Sequence, residues 1–115
     1  MKNISLIVFT LLILNSCLEK GKVQIENKIH NVKLMNVRWN GEIISYELYP
    51  GESSDEIIIM DKRDKFPKTS AVEFTMIYND KRVFLRTKQK YSLDYDEKLL
   101  IVLHDTTKVY NPATE

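Results

Sequence analysis

The chain has 115 residues, with 17 Lys plus Arg against 16 Asp plus Glu, three Gly and one Cys. This near balance of charge removes the electrostatic case for nucleic acid or an anionic membrane as a recognised partner. One thiol excludes a disulfide framework and a cysteine-ligated metal cluster, and three glycines exclude a glycine-rich phosphate loop.

Met1-Lys2-Asn3 opens the chain with one positive charge, and residues 4–14 follow as an apolar run broken only by Ser5 and Thr10. A helix of that length reaches about 16 Å, whereas the hydrocarbon core of a bilayer is roughly 30 Å thick. The run is therefore too short to span and reads as a secretory signal peptide over residues 1–16. Leu14-Asn15-Ser16-Cys17 then resembles the lipobox of bacterial lipoproteins, with Asn15 standing where a small residue is commoner. The resemblance implies cleavage before Cys17, a diacylglycerol on its sulfur and acylation of the new amino terminus. Two or more chains anchor firmly where one is marginal, so the chain is expected to be anchored to a membrane without crossing it. The expected place is the cell envelope, on the outer membrane. In one group of such proteins acidic residues soon after the cysteine can act as a surface-export signal. Here Glu19 is followed by Lys20, which leaves the periplasmic and surface faces both open.

Residues 17–22 read as a short polar tether and residues 23–115 as one domain. Cleavage removes Lys2 alone among the charged residues, which leaves the mature chain neutral. With Cys17 lipidated no thiol remains, so the domain holds its core without a disulfide in an oxidising compartment. Short β-rich runs at residues 23–27, 30–39, 42–48, 56–60, 71–78, 82–87 and 99–104 are separated by turn residues, with weaker runs at 89–93 and 108–110. The 30–39 run is expected to bend or bulge. Asn40-Gly41 specifies a type I′ hairpin, whose two central residues both need positive φ. Pro50-Gly51 specifies a type II turn, and Pro67 argues against a regular ladder within residues 61–70. The pattern predicts an all-β antiparallel sandwich of seven to eight short strands, immunoglobulin-like or transthyretin-like, with a small barrel as the alternative. Residues 57–60 and 99–103 are apolar on both faces. They are either covered by other elements or form an interface.

No constellation for catalysis is legible. His30 and His104 lie far apart and read as structural, His104 and Asp105 being expected on opposite faces of a strand. No serine has a nucleophile-elbow context. Asp94-Tyr95-Asp96-Glu97 is dense enough in carboxylates to raise calcium, but it lacks EF-hand spacing and reads as a turn. No catalytic, metal or cofactor residue is assigned, and Cys17 is the lipid-attachment residue. Trp39 and six tyrosines raise carbohydrate stacking, with Trp39 the candidate ligand-facing residue, although aromatics also fill strands by propensity.

Across the mature chain, "VQIEN" (23–27), "NVRWNGE" (36–42), "LYPGESS" (48–54), "VEFTMIY" (72–78) and "HDTTKVYN" (104–111) resemble small lipoproteins common in Bacteroidota. That resemblance implies an immunoglobulin-like sandwich and transfers no catalytic residue. The expectation is a lipid-anchored, non-enzymatic binding or assembly module with a protein or envelope-component partner and no cofactor. A carbohydrate-binding surface module and a small immunity or inhibitor lipoprotein are the alternatives.

Overall fold

The computed structural model describes residues 20–60 and 66–114. The expected signal peptide, Cys17 and the first part of the expected tether lie outside the described residues. Among the described residues ten strands form three sheets. The first has the order β4-β1-β9, from β4 (Ile57–Met60), β1 (Lys20–Lys28) and β9 (Lys98–His104). The second has the order β10-β7-β6-β2-β3. Its members are β2 (Lys33–Trp39), β3 (Glu42–Leu48), β6 (Val72–Tyr78), β7 (Lys81–Thr87) and β10 (Val109–Tyr110). A two-stranded ribbon pairs β5 (Lys68–Ser70) with β8 (Tyr91–Leu93). Among the described residues no helix is long and apolar enough to cross a membrane.

Alternation along each strand decides which face is buried. In β1, Gly21, Val23, Ile25 and Asn27 point inward while Lys20, Lys22 and Lys28 are exposed. Val23, Ile25, Ile101 and Leu103 from the first sheet meet Leu34, Val37, Trp39, Val72 and Phe74 from the second in one core cluster. The fold is thus an all-β sandwich. The turns follow from their residues. Asn40 and Gly41 both have positive φ, as the I′ hairpin requires. At the Pro50-Gly51 turn Gly51 has φ 84°, and Glu52 N–H donates to the Tyr49 carbonyl at 3.0 Å. Asn79 and Asp80 also take positive φ between β6 and β7, and Asn36 does so at the bulge in β2.

Several expectations need correction. The sandwich is not purely antiparallel: β1 runs parallel to β9 from Lys22↔Lys98 to Lys28↔His104. Residues 20–22 are not tether but the start of β1, with Lys20 opposite Met60. Gly21 makes this possible, because Leu93 packs where a Cβ would sit, 2.8 Å from its Cδ2. Pro67 does not prevent β5, since the strand begins one residue later and loses no ladder donor. Trp39 faces no ligand. It is fully buried, and its indole N–H donates to the Ser70 carbonyl at 3.0 Å, so its apolar body and its polar tip are both satisfied inside. The apolar strands are covered on one face only: Ile59, Ile101 and Leu103 are buried, whereas Ile58, Met60 and Leu100 are about half exposed.

Candidate functional site

The parallel pairing of β1 and β9 has a consequence at their shared end. Both strands leave the sheet side by side, Lys28 opposite His104, so the segments that follow them meet although they are distant in sequence. Asp105 accepts from His30 twice, with Oδ1 2.9 Å from the backbone N–H and Oδ2 2.8 Å from ring Nδ1. An ionised carboxylate only accepts, so Nδ1 carries the proton and Nε2 is left without a protein partner among the described residues. The backbone N–H of His30 first, and its ring second, hold the Asp105 carboxyl below its ordinary range. The pair is open to water, with the His30 side chain 85% exposed. It fixes the loop's geometry more than it stabilises the fold. On the far side, His104 N–H donates to Thr107 Oγ1 at 2.9 Å, which tightens the turn after β9.

These segments and the Pro50-Gly51 turn border an open groove of about 630 Å³. Its sides are residues 28–31, Pro50-Gly51 and residues 104–106. Asn27, fully buried, holds the first two together from below. Its Nδ2 donates to the carbonyls of Val32 at 2.8 Å and Leu48 at 3.0 Å, and its Oδ1 accepts from Ile29 N–H at 3.0 Å. Its backbone N–H reaches the Glu52 carbonyl at 2.9 Å, and its own carbonyl accepts from Gly51 N–H at 2.7 Å. One side chain therefore fixes the end of β1, the loop into β2 and the end of β3. Asn31, at φ 57°, takes a left-handed turn that asparagine tolerates well. Ser54 repeats the device one step back along β1: its Oγ accepts from Ile25 N–H at 2.9 Å and its N–H donates to the Ile25 carbonyl at 2.8 Å.

The groove offers hydrogen-bond donors and acceptors on its rim: the His30 imidazole, the His104 side chain, the Lys28 ammonium and the Thr106 hydroxyl. Among the described residues His30 is hydrogen-bonded to Asp105 and to no hydroxyl. Of the residues singled out from sequence, His30, His104 and Asp105 come together here. Trp39 is in the core, and the Asp94–Glu97 segment lies at the other end of β1, where Asp96 N–H donates to the Lys20 carbonyl at 2.6 Å. That segment is a turn, with Asp96 in the left-handed region and Asp94 Oδ1 accepting from Tyr95 N–H at 2.8 Å. Sequence reading missed Asn27 and the His30–Asp105 pair. A buried asparagine at a strand end carries no pattern of its own, and the pair depends on a parallel register that alternation does not encode.

No protein-family model, curated protein or solved structure matches the chain.

Proposed function

We propose that this is a lipid-anchored envelope lipoprotein that works as a non-enzymatic binding module, with the groove between residues 28–31, 50–51 and 104–106 as its ligand site. The supporting observation is the position of that groove at the opposite end of β1 from the strand's start at Lys20, three residues after Cys17. β1 is nine residues long, so at ~3.4 Å per residue the two ends are about 27 Å apart. A tether at one end keeps the lipid attachment itself out of the groove at the other. The backbone that carries the groove's side chains is held by the bonds of Asn27 and by the bond from His30 N–H to Asp105, which lowers the ordering cost of binding. Burial of Trp39 takes away the main reason for a sugar-stacking platform.

Two experiments test the proposal. Cys17→Ser should remain an uncut precursor in the membrane-targeting pathway. Mature, membrane-bound protein from that variant would refute the lipid anchor. A photo-crosslinking amino acid at Asn31 should give one discrete adduct in intact cells, absent when the same probe replaces Arg82 on β7. Adducts of equal yield at both positions, or none at Asn31, would refute the groove as the binding site.

A further inference from the structure

Three large aliphatic side chains are exposed among the described residues, Ile58, Met60 and Leu100, and all three share one surface. The register places them. Met60 pairs with Lys20, Ile58 with Lys22 and Leu100 with Gln24, and these are the outward positions of β4, β1 and β9. The other exposed large hydrophobic residues are aromatic: Tyr46, Tyr49, Tyr78, Phe84 and Tyr95. Phe84 lies on the outer face of the other sheet, since Leu85 and Thr87 beside it turn inward. The aliphatic surface begins where the chain enters from its amino-terminal side. Lys20 lies three positions after Cys17, with Leu18 and Glu19 between them. Fully extended, three residues reach about 10 Å.

We infer that the outer face of the β4-β1-β9 sheet rests on the phospholipid surface, with Ile58, Met60 and Leu100 in the interfacial region. The inference rests on the acylation of Cys17 proposed above and extends it from an anchor to an orientation. An acyl chain at Cys17 places Lys20 and its partner Met60 within that short reach of the headgroups. A domain held so closely has one edge at the membrane whatever its tilt. The side chains bordering that edge then decide which face turns down. Aliphatic groups gain by entering the interface, and lysine stems lie along it with their ammonium groups among the headgroups. Lys20, Lys22 and Lys98 interleave with the aliphatic residues on this face. Glu56 does not oppose this arrangement as a free charge, because it is bonded to Lys98 at 2.7 Å and lies 3.9 Å from Lys22. Charge does not drive the contact, which depends on apolar burial at a surface the tether already presents.

Spin labelling of the full acylated protein tests this directly. The Cys17 sulfur is occupied by lipid in the acylated protein, so an introduced cysteine is the only free thiol. The variants Ile58→Cys, Leu100→Cys, Phe84→Cys and Arg82→Cys are nitroxide-labelled and reconstituted in phosphatidylethanolamine–phosphatidylglycerol vesicles, with Met60→Cys replacing either of the first two if it misfolds. Labels at 58 and 100 are expected to show a several-fold higher ratio of oxygen to nickel-chelate accessibility than labels at 82 and 84. Equal ratios at all four sites, in protein whose mass confirms acylation, would overturn the orientation and leave the anchor standing. Spin–spin broadening at 58 and 100 that disappears on dilution with unlabelled protein would assign the face to a second copy of the chain and also overturn it. An unacylated Cys17 by mass spectrometry would overturn both the anchor and the inference.

Discussion

Replacing Asn27 with leucine tests whether the groove is held from beneath. Leucine has the same branching and number of side-chain heavy atoms as asparagine, so the substitution removes hydrogen bonds without opening a cavity. Three partners lose their bonds: the Val32 and Leu48 carbonyls and the Ile29 N–H. Asn27 is 0% exposed, so water does not replace the amide at the two carbonyls. Each buried polar group left unpaired costs about 1–3 kcal/mol, and taking the low end for three gives roughly 3 kcal/mol. In a domain of this size 1 kcal/mol moves Tm by roughly 4–8 °C, so Asn27→Leu should lower it by about 12–24 °C. Thermal and urea unfolding followed by circular dichroism measure this. Asn27→Asp is the companion variant. It keeps an acceptor for Ile29 N–H but sets a carboxylate against two carbonyls, so it should also be strongly destabilised at neutral pH. A loss below about 1 kcal/mol in Asn27→Leu would show that the loop and turn hold their places without the amide, and the account of the groove floor would be wrong.

Gly21→Val should destabilise the domain by about 1–3 kcal/mol, because the new Cβ meets Leu93 side-chain atoms at 2.8–3.0 Å and that leucine is fully buried. Urea titration reads the loss, and Leu93→Ala in the same chain should relieve part of it. Gly41→Val should cost about 1–2 kcal/mol from backbone strain alone, since φ is +77° and nothing lies within 4 Å of the added Cβ. An unchanged urea midpoint would refute the hairpin assignment. Asp105→Asn tests the His30 clamp through pH. The Asp105 carboxyl is held below its ordinary range in the folded state, so its contribution is present above the ordinary carboxylate range and is lost as pH falls through the lowered folded value. The stability difference between wild type and Asp105→Asn should therefore shrink in acid. A difference that grows on acidification would contradict the pairing.

Alternation and turn chemistry made most of the sandwich legible. Val23, Ile25, Leu34, Val72 and Phe74 are inward where period 2 puts them, and Asn40-Gly41 and Pro50-Gly51 turn as their backbone preferences require. The same rules placed Trp39 ambiguously, because a tryptophan beside a hairpin suits core and surface alike. What alternation could not supply was pairing between distant strands. Nothing in residues 23–27 or 99–104 signals that the two run parallel, since a strand buried on one face reads the same for either direction of its neighbour. The groove inherits that blindness: His30 and Asp105 are ordinary polar residues in separate turns until β1 and β9 lie side by side. The apolar runs were legible as anomalies, and the register divided them into core positions and an exposed surface.

The pairing of β1 with β9 also sets an order of events. The first strand of the domain finds its parallel neighbour only when the penultimate strand is available, and the His30–Asp105 contact closes a separation of 75 residues. Such long-range closure is entropically costly and slow relative to local hairpins such as β2-β3 and β6-β7. A chain threaded from its amino terminus through a narrow secretory channel would emerge with β1 able to meet β4 but lacking its longer pairing with β9 until almost all of the domain has followed. The hairpins can assemble first, and β1 completes its pairing last, against β9. In a chain exported in this way, the sandwich would be completed only after nearly all of the domain had crossed.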